Sequence, residues 1–486
     1  MTTTAKTSTD KTGSNAGTPV SAVGFRSDRG PILISLMLAT SLVALDSTII
    51  ATAVPSVVKS LGGFSEFPWL FSIYLLAQAV SVPVYAKVAD MFGRKPVILL
   101  GIGLFLVGSI LCGFAWSMPA LIAFRAVQGL GAGAVQPMSI TIVGDIYSLE
   151  ERARVQGYLA SVWGISSVVG PTLGGVFSEW ISWRWIFFVN IPMCFLAGWM
   201  LIRKFHEKVN RTPHRIDYLG ATLLTLGCSL VILGLLEGGG AWSWTSPVSL
   251  LIFGVGLLSL VAFVFAERSA AEPVLPLWIF RRRVLVGGSA VSLMVGAVLL
   301  GLTSYVPTYV QVVLGAGPLV AGFALATLTL GWPIAAALAG RVYLRIGFRS
   351  TALLGGAVVV IGTSLMLSLG RDSSIVAVGI YCFIVGIGMG LVASPTLIAA
   401  QSSVGWSDRG VVTGTNMFSR SIGSAVGVAL FGAIANAVLT SGGRVDESPT
   451  AVNIASHHVF IAVVVISVVM VASAGMLPRR RDQVVV

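Results

Sequence analysis

Charge is scarce in this chain. Of its 486 residues only 10% are Asp, Glu, Lys or Arg, against about 25% in soluble globular domains. That shortage argues against a water-soluble fold. Cysteine and histidine are scarcer still. The four cysteines, Cys112, Cys194, Cys228 and Cys382, all lie in apolar stretches, and two of the four histidines, His457 and His458, are adjacent. Neither a disulfide framework nor a metal centre can be built from them, because each needs suitably paired or clustered ligands. No GxxxxGK[ST] phosphate loop occurs, so ATP does not energise the protein directly and no cofactor is implied. No nucleophile–base set can be assembled across separate apolar stretches, which argues against an enzyme. Neither a filter loop nor a charged ring speaks for a channel.

What is abundant is apolar sequence, 55% of the residues, with a mean hydropathy of +0.91. Crossing about 30 Å of hydrocarbon takes roughly 20 apolar residues as a helix, and fourteen stretches qualify. They predict an all-α membrane protein with spans at about 31–57, 67–88, 96–116, 118–144, 155–178, 184–202, 217–236, 247–266, 284–310, 319–342, 351–369, 374–399, 411–438 and 455–477. The positive-inside rule tests the count. With the N-terminus inside, only Lys59, Arg184, Arg371 and Arg444 of the 31 Lys and Arg fall outside, Arg125 and Arg420 fall within spans, and the other 25 are cytoplasmic. Both termini are therefore expected in the cytoplasm, and the net charge of +12 reflects topology, not nucleic-acid binding. Trp69, Trp116, Trp180, Trp183, Trp185, Trp242 and Trp244 are expected at outer helix ends, at headgroup level. Residues 1–30, rich in Thr, Ser, Gly and Ala over 1–25, read as a disordered cytoplasmic tail. The first apolar run is too long for a cleaved signal peptide.

The chain also repeats itself. Ala86-Lys-Val-Ala-Asp-Met-Phe-Gly-Arg-Lys95 follows the second span, and a weaker copy, Gly340-Arg-Val-Tyr-Leu-Arg-Ile-Gly-Phe-Arg349, follows the tenth. Gly93 and Gly347 lie 254 residues apart, and Gly170 with Gly174 lie 253 before Gly423 with Gly427. Two features at nearly one offset imply two pseudo-symmetric six-helix bundles, 31–204 and 271–477, with a linker and inserted helix pair at 205–270 and a basic cytoplasmic tail at 478–486. Such repeats are common in transporters that work by alternating access, with the binding site near the midplane where the halves meet.

At these residues the chain resembles the major facilitator superfamily, and within it the fourteen-helix drug:proton antiporters. The loop Ala86 to Lys95 resembles the signature after span two, with Ala86 in place of its first glycine and Met91 in place of a basic residue. The second copy carries Leu344 in place of the acid. Leu45-Asp46-Ser-Thr-Ile49 through Pro55 is similar to the span-one motif, and Arg125-Ala-Val-Gln-Gly-Leu-Gly131 to that of span four. Gly164 through Gly170-Pro171-Thr-Leu-Gly174-Gly175 resembles the antiporter motif of span five, and Trp183-Arg-Trp-Ile-Phe-Phe-Val-Asn-Ile-Pro192 the entry to span six. The resemblance implies export of small lipophilic or weakly cationic compounds in exchange for protons. The alternatives are export of an endogenous metabolite, lipid or peptide, and a sensor or scaffold without flux. A bacterial cytoplasmic membrane and a monomer are expected.

Ionisable residues inside a membrane are costly and are functional candidates by default. Asp46 is the only carboxylate expected well inside a span. At 1.5 Å per residue it lies roughly 22 Å from the cytoplasmic end of its helix, and Arg125 roughly 9 Å from the outer end of its own, so the two share a depth. They are expected to pair if spans one and four touch, as the resemblance implies. A carboxylate whose partner and hydration change through a cycle changes its proton affinity, and so can carry a proton across. A static buried ion pair is the alternative. Asp90, Gly93, Arg94 and Lys95 are expected to form a cytoplasmic gate, with Asp145 as a partner for Arg94; the resemblance implies a latch closed in the outward-facing state. Gly170, Pro171, Gly174 and Gly175 make a smooth, kinkable face, which, with Gly164, only the resemblance ties to antiport. Tyr74, Gln78, Trp163, Asn190, Trp332 and Arg420 are candidate cavity residues, Arg420 with no acid at its depth.

Overall fold

The computed structural model describes residues 24–62, 69–207, 217–239, 242–270, 273, 275–439 and 448–478. The expected tails up to residue 23 and from 479, and residues 208–216 of the linker, lie outside these. Fourteen helices among the described residues are long and apolar enough to cross a membrane, and the chain is a multi-pass membrane protein. The first half comprises α1 (Gly30–Leu61), α2 (Trp69–Phe92), α3 (Arg94–Gly113), α4 (Met118–Ile146), α5 (Leu149–Val176) and α6 (Trp185–Lys204). The inserted pair is α7 (Tyr218–Glu237) and α8 (Pro247–Ser269). The second half comprises α9 (Arg283–Thr308), α10 (Pro318–Ile346), α11 (Phe348–Leu365), α12 (Ile375–Ser402), α13 (Arg409–Leu439) and α14 (Pro449–Ala474).

Helix starts follow local chemistry. Ser117, Ser148, Asp217, Ser246 and Ser374 each accept a hydrogen bond from a first-turn amide, satisfying donors that the helix leaves free. At α5 the cap is reciprocal, because Glu151 also accepts from the Ser148 amide. Two turns need glycine: Gly93 ends α2 at φ 101° and Gly347 ends α10 at φ 86°, both with extended ψ. That region is essentially closed to residues with a Cβ. The shared conformation at the two repeat glycines shows the halves alike in backbone as well as in sequence.

The packing is alike too. In the first half α4 lies against α2 and α3, and α1 against α5 and α6; in the second α12 lies against α10 and α11, and α9 against α13 and α14. The halves meet reciprocally, α2 on α13 and α5 on α10, and α7 bridges them by touching both α2 and α13. Large apolar side chains that face outward, such as Leu258 on α8 and Phe195 on α6, need lipid around them. Trp116 and Trp180 are largely exposed at helix ends, but Trp183 is only 4% exposed. It stands edge-on to Phe187 beneath the Arg184 guanidinium, so at its helix end it is packed against protein.

Candidate functional site

Three groups of residues occupy the junctions of this architecture. The first is the pair inside the first half. Helices α1 and α4 touch, and the Asp46 and Arg125 side chains are each 1% exposed. Arg125 Nη1 lies 2.5 Å from Asp46 Oδ2, and Gln128 Nε2 donates to Asp46 Oδ1 at 2.8 Å. Arg125 also donates to Gln128 Oε1 at 2.7 Å and to the Leu70 carbonyl at 3.2 Å, and the Tyr74 ring lies 4.1 Å beneath its guanidinium. Gln128 stands one helical turn after Arg125, so both reach the same side of α4. Each carboxylate oxygen thus has a donor, which is what keeps a buried ion pair from being prohibitively costly. The network ends at Ser109, which accepts from Gln128 and from Asn190. At the repeat offset the second half has Leu300 and Gly379, which can form no such pair.

The second group joins the halves at the end that carries the α2–α3 turn. Asp90 reaches from α2 to the start of α13, its Oδ1 accepting from the Gly410 amide at 3.0 Å and its Oδ2 from the Val411 amide at 2.7 Å. Those are free donors of a helix N-terminus, where negative charge is favoured. Arg94, fully buried, pairs with Asp90 at 2.7 Å and Asp145 at 3.0 Å. It also donates to the Trp406 carbonyl at 2.7 Å and stacks 3.8 Å above the Trp406 ring in the other half. Arg409 returns the contact, reaching Asp145 at 3.2 Å and the Gly144 carbonyl at 2.9 Å. Lys95 faces away, donating to the Ile202 carbonyl, while Glu207 caps α3 through the amides of Arg94 and Lys95. Glu207, Trp406 and Arg409 were not singled out from the sequence; only their acidic, aromatic and basic character next to helix ends could have flagged them.

The matching turn of the second half is built differently. Leu344 and Phe348 stand where Asp90 and Arg94 stand in the first copy, and Phe348 stacks on Tyr343 at 4.9 Å in a small apolar cluster with Ile398 and Leu149. The difference has a local cause. Helix α5 caps itself through Ser148 and Glu151, so it needs no acid from across the interface, whereas α13 takes its cap from Asp90.

The third group is α5 and the space beside it. An added Cβ at Gly170 would collide with Thr48 Oγ1, which donates to the Ser166 carbonyl at 2.9 Å. Gly164 faces Thr329 and Pro333 of α10, and Ser167 meets Thr329 by hydroxyl contact at 3.1 Å. Gly175 has nothing within 4 Å of an added Cβ; Pro171 and Gly174 lie between, in the last turns of α5. Helix α5 is therefore keyed to α1 on one side and to α10 on the other. Gly170→Ala is expected to destabilise the protein by about 1–3 kcal/mol through overpacking, seen as a lower thermal midpoint. Adding Thr48→Ala should recover part of it, because contacting sites are coupled. Additive losses would show that the two helices do not lock here.

Between the halves lies a cavity with about 910 Å³ of empty space, its open mouth included. The first half supplies Thr40, Gln136, Gln156 and Trp163, and the second half supplies Trp332 and Arg420 among others. Tyr74, Gln78 and Asn190 are not in the lining. Tyr74 lies under Arg125, Asn190 turns to Ser109, and Gln78 stands behind the wall, donating to Gln136 at 3.1 Å.

Fourteen spans, in two related halves that line a cavity at their interface, define a membrane transporter. The chain belongs to the Major Facilitator Superfamily, whose family model matches residues 36–428. It is similar to Multidrug resistance protein 3 of Bacillus subtilis, 33% identical over 84% of this chain and 80% of that protein. It is also similar to the Multidrug transporter protein MdtP of the same organism, 32% identical over 86% of this chain and 77% of the relative. The fungal Efflux pump dotC of Dothistroma septosporum is 32% identical over 86% of this chain and 72% of its own length. Among solved structures, the human organic anion transporter MFSD10 shares the fold, with a TM-score of 0.67 at 14% identity over 92% of this chain and 99% of that one.

Proposed function

We propose that this protein exports small lipophilic compounds across the cytoplasmic membrane in exchange for protons, by alternating access. The observation that carries the reading is the Asp46–Arg125–Gln128 network: one fully buried carboxylate in the first half, with no counterpart at the repeat offset in the second. A proton added to an Asp46 oxygen removes its charge and releases Arg125 from the pair. The relatives named as multidrug transporters and efflux pumps support export as the direction.

In this reading the α2–α3 end is cytoplasmic, which the excess of Lys and Arg there supports, and both termini lie on that side. The contacts of Asp90, Arg94, Asp145 and Arg409 across the halves are the cytoplasmic gate in its closed state. Coupling runs through α5. Protonation of Asp46 frees α1 to shift, and Thr48 transmits the shift through Ser166 to the helix that borders the cavity and α10. A monomer holds every part of this machinery.

The test is proton release from purified, detergent-solubilised protein on adding candidate lipophilic solutes, followed by flux in proteoliposomes under an imposed pH gradient. Solute-dependent proton release together with gradient-driven accumulation supports the exchange. Flux that ignores the gradient would leave a facilitator and not an antiporter.

A further inference from the structure

Arg420 is the only charged residue among the described residues that line the cavity. Among the described residues it has no ion-pair partner and donates no hydrogen bond; its guanidinium lies 5.2 Å over the Trp332 ring. The other buried arginines have acceptors: Arg125 has Asp46, Arg94 has Asp90 and Asp145, and Arg152 donates to the Tyr147 and Gly144 carbonyls and to Ser402. The rest of the lining is neutral. It offers the amides of Gln136 and Gln156, the hydroxyls of Thr40, Thr329 and Ser394, and the indoles of Trp163 and Trp332.

A cation left unpaired at this depth is costly unless something pairs with it. Arg420 lies 11 residues into α13, roughly 16 Å from the start of that helix, and Trp332 lies 14 residues before the end of α10, roughly 21 Å in, so both are near the midplane. A planar guanidinium offers five donors in a fork that matches a carboxylate or sulfonate, and two indoles, one from each half, offer flat apolar faces to an aromatic ring. A cationic solute would meet repulsion from Arg420 and find no carboxylate in the lining.

We propose that the cavity is a binding site for small aromatic anions, with Arg420 pairing with the acidic group and Trp163 and Trp332 flanking the ring. The proposal rests on the export reading for direction and energy source, and replaces the weakly cationic class expected from resemblance with an anionic one. Arg420 waits for its counter-ion to arrive as cargo.

The test uses three naphthalene derivatives of one size: 1-naphthalenesulfonate, 1-naphthalenesulfonamide and trimethyl-(1-naphthyl)ammonium. Binding is measured by calorimetry on the purified protein, with no gradient present. The sulfonate is expected to bind most tightly. Arg420→Gln is expected to weaken it by about tenfold or more, the size of a lost charge-assisted contact, while Arg420→Lys keeps most of the affinity and the sulfonamide is unaffected by either change. Equal binding of the sulfonate to wild type and Arg420→Gln, or tighter binding of the ammonium than the sulfonate to wild type, overturns the proposal. If Arg420→Gln fails to fold, the three-ligand series on wild type decides alone. Flux of the same compounds under a pH gradient separates the two readings: sulfonate binding without gradient-driven flux sinks the antiport, and gradient-driven flux of the ammonium in preference to the sulfonate sinks the anion site.

Discussion

Vesicles carrying Asp46→Asn are expected to show no gradient-driven solute accumulation above that of protein-free vesicles. The amide keeps the shape of the side chain and can still meet Gln128, but it takes up no proton. It also strands Arg125. That guanidinium would keep Tyr74 beneath it and its bonds to Gln128 and the Leu70 carbonyl, yet lose its counter-charge, and breaking one side of a buried pair costs about 3–5 kcal/mol. A folding loss would mimic a coupling loss. Asp46→Asn with Arg125→Gln separates them, because both charges leave together and the site remains neutral. The double variant is expected to exchange labelled solute at equilibrium, which needs the halves to rock but no net proton movement, and to fail in uphill transport. Uphill accumulation by a well-folded double variant would mean that the proton rides on another group.

Asp90→Ala should open the closed end. The substitution uncaps the amides of Gly410 and Val411 and takes one of two carboxylates from the fully buried Arg94. Loss of the cap alone is worth about 0.5–2 kcal/mol, and each 1.4 kcal/mol shifts the closed-to-open ratio about tenfold. The readout is a cysteine placed at Ser394 in the cavity wall and probed with a charged thiol reagent from the cytoplasmic side. The four native cysteines are buried, so background labelling is low. Labelling is expected to rise by about tenfold or more with Asp90→Ala and hardly at all with Leu344→Ala, since α5 carries its own cap. Equal labelling in all three proteins would show that Asp90 is not holding this end shut.

The fourteen spans were legible because each is an apolar run bounded by charge, and the charges sort by side. The depth argument for Asp46 and Arg125 was legible for the same reason: distance along a helix is read directly from residue number. Gln128 was overlooked although its spacing from Arg125 puts it on the same face. Rotation about the helix axis was harder to read. Tyr74 and Asn190 lie near Arg125 in depth but turn toward it and Ser109, not toward the cavity, and only packing decides that. The contacts of Asp90 with residues 320 and 321 positions away were likewise beyond reach, because sequence shows that an acid suits a helix start but not which helix it will find.

The cap that α13 borrows from α2 also bears on how the chain comes together. Synthesis runs from the N-terminus, so Asp90 and Arg94 are in the membrane long before Arg409 and Gly410 leave the ribosome. The opening turn of α13 therefore meets a finished receptor, and its exposed amides are satisfied by docking and not by waiting for later sequence. The self-capped α5 shows the reverse logic: it is made when nothing downstream exists to help it, and it carries its own Ser148 and Glu151. The asymmetry between two otherwise matching halves thus fits an order of assembly, with the earlier half self-sufficient and the later one completed against it.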